Sequence, residues 1–197
     1  MERYKDLEVV TIKKREDLRK WLKRHYTQKE SIWLGIYKKH VGEWHVPYEE
    51  IVEEALCFGW IDSKANKWND EQYLLLFSPR KPKSVWSKVN KRRIEQLMAT
   101  GQMTDAGLAK INAAKADGSW ETLDATENLV IPDGLKGVLQ KNKTALKNFE
   151  AFPPSTKKNI YWWIESAKTD TTKQKRIMQT VDMAEQNLKA NQYQKKN

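Results

Sequence analysis

The chain has 197 residues, with 36 Lys and Arg against 26 Asp and Glu, a net charge of +10 and a single cysteine. Its length allows one domain or a domain with a helical extension, and its 9 Trp, 7 Tyr and 4 Phe give it more apolar area than disordered chains carry, so most of it is expected to fold. One cysteine excludes an internal disulfide and a thiolate-rich zinc site, and with them the class of disulfide-stapled secreted scaffolds.

The first half of the chain is predicted to alternate strands and helices. Apolar and β-branched runs predict strands over residues 7–12, 31–39, 60–68 and 71–78. Helical spacing predicts a helix over residues 15–26 and a second helix that begins with Pro47 and ends at Gly59 in the left-handed conformation. The acidic residues of the second helix are expected to face away from its apolar stripe; they are Glu49, Glu50, Glu53 and Glu54.

The second half of the chain is predicted to be helical. The expected helices cover residues 84–99, 104–116, 134–140, 144–151, 155–167 and 171–188, and residues 117–132 are the expected linker. The fold class is therefore α+β, with a small N-terminal mixed sheet and flanking helices followed by a C-terminal all-helical region. The predicted divisions are an α+β domain over residues 1–120, a helical domain over residues 132–190 and a disordered tail over residues 191–197.

A strongly basic segment follows the last predicted strand. Residues 80–93 contain seven basic side chains and no acidic one. Ser84 is predicted to cap the next helix, whose unpaired N–H groups and positive dipole end attract anions. Because Arg80 and Lys83 lie beside this expected helix start, the segment predicts a site for phosphate, carboxylate or sulfate. The alternative is that these cations only solvate a helix face.

Two polar side chains are predicted on the apolar face of the same helix. Asn90 and Arg93 project there beside Trp86, where an unpaired polar group would cost about 1 to 3 kcal/mol, so both should have partners. Asp62 is the expected partner of Arg80 or Arg93 in a bidentate ion pair. Either Asn90 and Arg93 brace Asp62 or another internal acceptor, or they form the floor of a polar pocket lined by tryptophans. The candidate ligand-binding residues are Trp60, Asp62, Arg80, Lys83, Ser84, Trp86, Asn90 and Arg93.

No sequence pattern predicts catalysis, a metal or a cofactor. The three histidines lack the spacing of metal ligands, and the chain has no Walker loop, GxGxxG or GxSxG motif. A general-base role for Asp62 would need a second titratable partner, and none is adjacent in sequence, so an ion pair is favoured. Cys57 is predicted to be a small buried hydrophobe. We therefore expect a protein that is not an enzyme.

Charge and hydropathy predict a cytoplasmic protein. Residues 1–12 carry charges with no apolar block behind them, unlike a signal peptide. No apolar run approaches the roughly 18 residues that a membrane span needs. A basic surface of this kind attracts nucleic acid, anionic lipid or an acidic partner.

Four long segments carry a family resemblance. They are EEALCFGWIDS, FSPRKPKSVWSKVN, GQMTDAGLAKINAAKADGSW and NIYWWIESAKTDTTKQKRI. In this order they resemble the YdeI/OmpD-associated family of small bacterial proteins, from about Trp33 to Met183. The resemblance implies links to outer-membrane porins, bacteriocin protection and tolerance of cationic antimicrobial peptides, and it implies no established reaction. Its motifs point, without assigned roles, to Gly59, Trp60, Ile61, Asp62, Pro79, Arg80, Pro82, Lys83, Ser84, Trp86, Asn90, Gly101, Met103, Thr104, Gly107 and Leu108.

The sequence therefore favours a non-enzymatic cytoplasmic protein of this family that binds an anionic small molecule or an acidic protein partner. One alternative is a nucleic-acid-binding protein, in which Trp68 and Trp86 stack on bases while the cations of residues 80–93 contact phosphates. The other is an uncharacterised enzyme that uses Asp62.

Overall fold

The computed structural model describes residues 6–192 and divides the chain into two compact units, Met1–Thr122 and Leu123–Asn197. The tail predicted over residues 191–197 falls mostly on residues 193–197, which lie outside the described residues. None of the helices in residues 6–192 combines the length and the apolar character that a membrane crossing requires.

The first unit contains a four-stranded sheet, and its helices precede, interrupt and follow the strands. Its elements in chain order are β1 (Val9–Ile12), α1 (Arg15–His25), β2 (Ile32–Tyr37), α2 (Tyr48–Cys57), β3 (Trp60–Lys67), β4 (Gln72–Pro79), α3 (Lys88–Ala99) and α4 (Asp105–Ala116). A mixed sheet with helices at the N-terminus and a helical C-terminal region confirm the predicted α+β fold class.

The strand order in the sheet is β1-β2-β4-β3. Strands β1 and β2 are parallel, so α1 forms the crossover between them, whereas β4 pairs antiparallel with both β2 and β3. The β3–β4 hairpin turns at Asn69, whose side-chain oxygen accepts hydrogen bonds from the backbone N–H groups of Glu71 and Gln72. A bulge between Asp62 and Ala65 interrupts the register of β3 against β4.

One hydrophobic core joins the sheet to its helices. Leu18 and Leu22 of α1 and Ile51 of α2 pack with the inward residues of the strands, and all three are fully buried. Leu18 and Leu22 lie four residues apart, which is close to one helical turn, and spacing of this kind was the basis for predicting α1 and α2. Pro47 was predicted to be the first residue of α2, but it is the N-cap, and the helix begins one residue later at Tyr48. Gly59 has the predicted left-handed conformation with φ of 72°.

Glu54 is buried, and its predicted solvent exposure is wrong. Its side chain is only 1% exposed and accepts hydrogen bonds from Arg15 Nε at 2.7 Å and Arg19 Nη1 at 2.9 Å. Arg15 also binds Glu53 and Gln102, so this cluster connects α1, α2 and the loop before α4. Burial disfavours the charge on Arg15, but the hydrogen bonds and charges of Glu54 and Glu53 outweigh it and raise the pKa of the guanidinium. A carboxylate on the buried face of α2 is tolerated because two arginines satisfy it.

Helix α4 packs closely against the C-terminal end of α2. The Thr104 hydroxyl accepts from the Gly107 N–H, which caps α4, and donates to the Cys57 carbonyl at the end of α2. A side chain at Gly107 would place its Cβ 2.4 Å from that carbonyl oxygen and 2.7 Å from the Leu56 carbonyl oxygen. The contact between the two helices therefore requires glycine at this position.

Cys57 is expected to resist thiol reagents in the folded protein. The side chain is buried, and burial, followed by the charge of Glu54, raises the pKa of its thiol to about 11. At pH 8 a thiol with this pKa is ionised in only about one molecule in a thousand, and the thiolate is the reactive form. Reaction with Ellman's reagent should be slow in buffer and rapid in urea; equal rates in both would contradict the burial of Cys57.

The second unit is helical throughout its described residues. Its helices are α5 (Asp124–Glu127), α6 (Leu135–Lys141), α7 (Lys143–Glu150), α8 (Pro154–Glu165) and α9 (Asp170–Glu185). They enclose a separate core in which Phe149, Ile160 and Ile177 are among the buried residues. Helices α8 and α9 are in contact with each other, and Thr169 caps α9 by accepting from the Thr172 N–H.

Candidate anion-binding site

The connection from β4 to α3 folds around the side chain of Arg80. The Arg80 N–H extends the β3–β4 ladder by donating to the Gly59 carbonyl at 2.9 Å, after which the chain leaves the sheet. Lys83 has a positive φ of 60°, and its N–H donates to Asp117 Oδ2 at 3.2 Å, which fixes the loop to the end of α4.

Ser84 does not cap α3, so the predicted helix start is wrong. The Ser84 hydroxyl donates to the Lys81 carbonyl at 2.7 Å and closes a turn within the loop. Helix α3 begins at Lys88, and its cap is Ser87, which accepts from the Asn90 N–H. Ser84 and Ser87 both have a side-chain oxygen that can cap a helix. Trp86, which precedes the helix, is buried, and this holds residues 80–86 in an irregular loop. The N–H groups at the start of α3 therefore do not form the predicted anion site at Ser84.

Arg80 is the unusual residue of this loop because its guanidinium is buried without an ion pair. The residue is 3% exposed, and its guanidinium carbon lies 3.5 Å from the centre of the Trp86 ring. Nη1 donates to the Val85 carbonyl at 3.2 Å, but Nε and Nη2 are buried and form no hydrogen bond with any residue from 6 to 192. Burial lowers the pKa of Arg80 to about 10, against the opposing influence of the Asp62 charge.

Two further donors border the same space. Trp86 is 1% exposed, and its indole N–H also lacks a hydrogen-bond partner in the part of the chain that the structure describes. The Ser119 hydroxyl makes no hydrogen bond of normal geometry, although the side chain and backbone N–H of Ser119 hold the pKa of Asp117 below its usual range. Asp117 accepts the backbone N–H groups of Lys83 and Ser119, and it forms none of the salt bridges found among the described residues.

These donors surround a small cavity of about 70 Å³, which is several times the roughly 10 to 15 Å³ that admits one water molecule. Lys81, Lys83 and Lys110 also line it, and among the described residues Asp117 is the only acidic one in its wall. A more open cleft of about 560 Å³ lies beside it, and Arg80, Lys81, Pro82 and Lys110 line both spaces. The linings of both spaces are therefore rich in positive charge.

The structure brings part of the predicted residue set together and places the rest elsewhere. Arg80, Lys83, Ser84 and Trp86 line the cavity. Trp60 lies in the core, where its indole N–H donates to the Tyr26 carbonyl at 3.4 Å.

Asp62, Asn90 and Arg93 do not line the cavity, and the predicted bidentate ion pair is wrong. Among the described residues, Asp62 forms no salt bridge with either arginine and instead accepts the Tyr48 hydroxyl at 2.7 Å. Burial and this hydrogen bond raise the pKa of Tyr48 to about 12. The Arg93 guanidinium donates to Asn90 Oδ1 at 3.3 Å, so these two residues of α3 partner each other.

Sequence reasoning missed the residues that α4 and the following turn contribute to the site. Lys110, Asp117 and Ser119 line the cavity, and Trp120 packs its ring 5.2 Å from that of Trp86. These residues lie 17 to 27 positions after the end of the basic segment at Arg93, and only the packing of α4 brings them back to it. In the sequence, the family resemblance of the segment from Gly101 to Trp120 was the one feature that pointed to these residues.

These observations define a class: a two-unit α+β protein whose first unit stacks a buried, unpaired arginine on a buried tryptophan beside a cation-lined cleft. Residues 10–110, just over half of the chain, match a family described as a domain of unknown function (DUF8412), and the chain belongs to that family. Residues 128–187 match the family described as Bacteriocin-protection, YdeI or OmpD-Associated, which confirms the predicted resemblance over that part of the chain.

The two matches fall in different units. Residues 10–110 lie within the first unit, which contains the Arg80 site, and residues 128–187 lie within the second. Of the four segments that carried the resemblance, only NIYWWIESAKTDTTKQKRI falls inside the bacteriocin-protection match. Neither a curated protein nor a solved structure matches the chain significantly.

Proposed function

We propose that the first unit binds a small anionic molecule at Arg80, and that the protein is a cytoplasmic binding protein and not an enzyme. The observation that carries this proposal is a guanidinium, 3% exposed, with two nitrogen atoms that have no partner within the protein. Leaving a buried donor unpaired costs about 1 to 3 kcal/mol, and more for a charged group. An anion that accepts from Nε and Nη2 relieves this cost, and two parallel hydrogen bonds are the geometry that carboxylates and phosphates provide.

The surrounding residues support binding in preference to catalysis. Arg80, Trp86, Lys81 and Lys110 supply donors or positive charge, and none of them is a base at neutral pH. The one carboxylate of the wall, Asp117, is occupied by backbone N–H groups. The arrangement therefore favours holding an anion over moving a proton.

The link to bacteriocin protection and cationic-peptide tolerance belongs to the second unit in this proposal, because that unit carries the family match. The first unit would then supply the ligand-dependent part of the protein. An acidic protein partner is the alternative occupant, and it would contact the exposed lysines of the rim and leave Arg80 unpaired.

The nucleic-acid alternative loses part of its support in the structure. Trp86 is 1% exposed and lies beneath Arg80, so it presents no face on which a base can stack. Trp68 is 46% exposed, but it lies on the β3–β4 turn and does not line the Arg80 cavity.

The proposal predicts stabilisation by phosphate or sulfate beyond that given by chloride at equal ionic strength. A ligand that binds only the folded state adds about 2.7 kcal/mol at one hundred times its Kd. The Arg80→Met variant, which keeps an apolar stem over Trp86 but has no donor, should lose this anion-specific gain in Tm. In the absence of phosphate its Tm should be equal to or higher than that of the native protein, because an unpaired buried charge has been removed.

The matched control is Arg92→Met, which removes the same charge from an exposed position of α3 outside the cavity. It should retain the full gain. Equal gains in the native protein and in Arg80→Met would show that Arg80 binds no anion, since sulfate and phosphate also stabilise proteins by exclusion from their surface.

A further inference from the structure

The open cleft beside the Arg80 cavity has a lining of a different character. Its apolar residues are Tyr26, Phe58, Pro79, Pro82, Ala106 and Ala109. Its cationic residues are Arg80, Lys29, Lys81 and Lys110, and no acidic residue is part of the lining. One wall is therefore apolar and aromatic, whereas the part that it shares with the inner cavity is positively charged.

Tyr26 is the aromatic residue of the cleft lining that is open to a hydrophobic group, because Phe58 is only 4% exposed. The rings of Tyr26 and Phe58 lie with their centroids 6.5 Å apart at an angle of 44°, and Tyr26 is 44% exposed. Aromatic rings in such a tilted arrangement contribute both apolar area and favourable ring contacts to a bound ring. The volume of about 560 Å³ falls within the roughly 300 to 1,000 Å³ of small-molecule sites.

The inner cavity at Arg80 and the open cleft beside it differ in volume. The inner cavity of about 70 Å³ accommodates an anionic head group, but it does not accommodate a larger organic body. The cleft accommodates such a body, yet its polar neighbours are cations and do not suit a neutral or basic ligand. A ligand with one acidic end and one apolar end satisfies both spaces at once, because Arg80 lines each of them.

We infer that the ligand of this site is an amphipathic organic acid: its carboxylate or phosphate binds Arg80, and its hydrophobic body lies in the cleft against Tyr26. This inference rests on the proposed function, and it deepens that function by naming the chemical class of the ligand. A carboxylate and a phosphate can both offer two acceptor oxygens to Arg80. Comparing a carboxylate ligand with a phosphate ligand shows which of the two head groups is preferred.

Titration calorimetry with matched pairs tests the inference. Phenyl phosphate is compared with inorganic phosphate, 4-phenylbutyrate with butyrate, and benzyl alcohol serves as the neutral ligand. Burying a phenyl ring removes on the order of 100 Å² of apolar surface from water, so each phenyl compound should bind at least about tenfold more tightly than its partner. Benzyl alcohol should bind more weakly than either phenyl acid, and the better of the two acids identifies the preferred head group.

Two variants of α4 separate the cleft from the cavity. Ala109 is exposed and lines the cleft, so Ala109→Trp should fill it and abolish the gain from the phenyl ring while leaving phosphate affinity within about twofold. Ala116→Trp is the control, because Ala116 is exposed on the same helix and lines neither space. It should leave both affinities unchanged.

The outcomes distinguish this inference from the proposed function. Equal affinities for phosphate and phenyl phosphate, or a phenyl gain that survives in Ala109→Trp, would overturn the inference and leave anion binding at Arg80 intact. Equal binding of benzyl alcohol and the phenyl acids would overturn the acidic part of the inference. Absence of binding by every anion would overturn both the inference and the proposed function.

Discussion

Gly107→Ala is expected to destabilise the first unit by about 2 to 3 kcal/mol and to lower its Tm by roughly 5 to 10 °C. The added Cβ would lie 2.4 Å from the Cys57 carbonyl oxygen, 2.7 Å from that of Leu56 and 2.6 Å from Met103 Sδ. Two of these atoms belong to the backbone at the end of α2, so they cannot move aside as a side chain can. Helix α4 must shift as a whole, and this also strains the bond from Thr104 to Cys57.

Alanine has a better helix propensity than glycine by about 1 kcal/mol, which opposes this loss. Gly137→Ala on α6 isolates the propensity effect, because no atom lies within 4 Å of the Cβ added there. It should leave the stability of the second unit unchanged or raise it by up to about 1 kcal/mol. Urea denaturation followed by circular dichroism measures both variants; a Gly107→Ala protein as stable as the native one would refute the close contact between α4 and α2.

Glu54→Gln is expected to lower the free energy of unfolding by about 3 kcal/mol. It is paired with a second substitution on α2, Glu53→Gln, which should have a smaller effect. The carboxylate of Glu54 is 1% exposed and pairs with Arg15 through one oxygen and with Arg19 through the other. A neutral amide keeps one acceptor oxygen but turns an NH₂ group towards a guanidinium, so two donors face each other. The arginine side chains are 25% and 28% exposed, and partial access to water keeps the cost near the lower end for broken buried pairs.

Glu53→Gln provides the control on the neighbouring residue. Glu53 is 27% exposed and makes a single ion pair with Arg15, which retains Glu54 and Gln102 after the change. Its replacement should therefore cost less than about 1 kcal/mol. Chemical denaturation of both variants at neutral pH measures the difference, and similar losses in the two would show that burial does not decide the contribution of these carboxylates.

The elements of the fold were predictable to the extent that local periodicity specifies them. Strands β2, β3 and β4 and helices α1, α2 and α4 lie within a few residues of their predicted bounds, because burial on one face leaves a period of two or of about 3.6 in the sequence. Glu54 breaks the pattern, since a buried carboxylate depends on arginines from α1, about 35 to 39 positions away. No window of a single helix contains that information.

The candidate site was predictable only in its basic segment. The density of cations in residues 80–93 indicated an anion site, and Arg80, Lys83, Ser84 and Trp86 do line the cavity. The predicted reason was the start of a helix, whereas the structure bases the site on the burial of a single guanidinium against Trp86. Whether an arginine is exposed or buried depends on tertiary packing, and here the end of α4 decides it.

The two edges of the sheet have a consequence for association between copies of the chain. Edge strands expose unpaired N–H and C=O groups that can template pairing with another chain. Strand β1 is four residues long, which leaves little backbone for such pairing. Strand β3 is longer, but the bulge after Asp62 breaks its line of hydrogen-bonding groups, and Lys64 and Lys67 add charge along it. A short strand, a bulge and charged side chains are features that disfavour edge-to-edge pairing, and each edge of this sheet carries at least one of them.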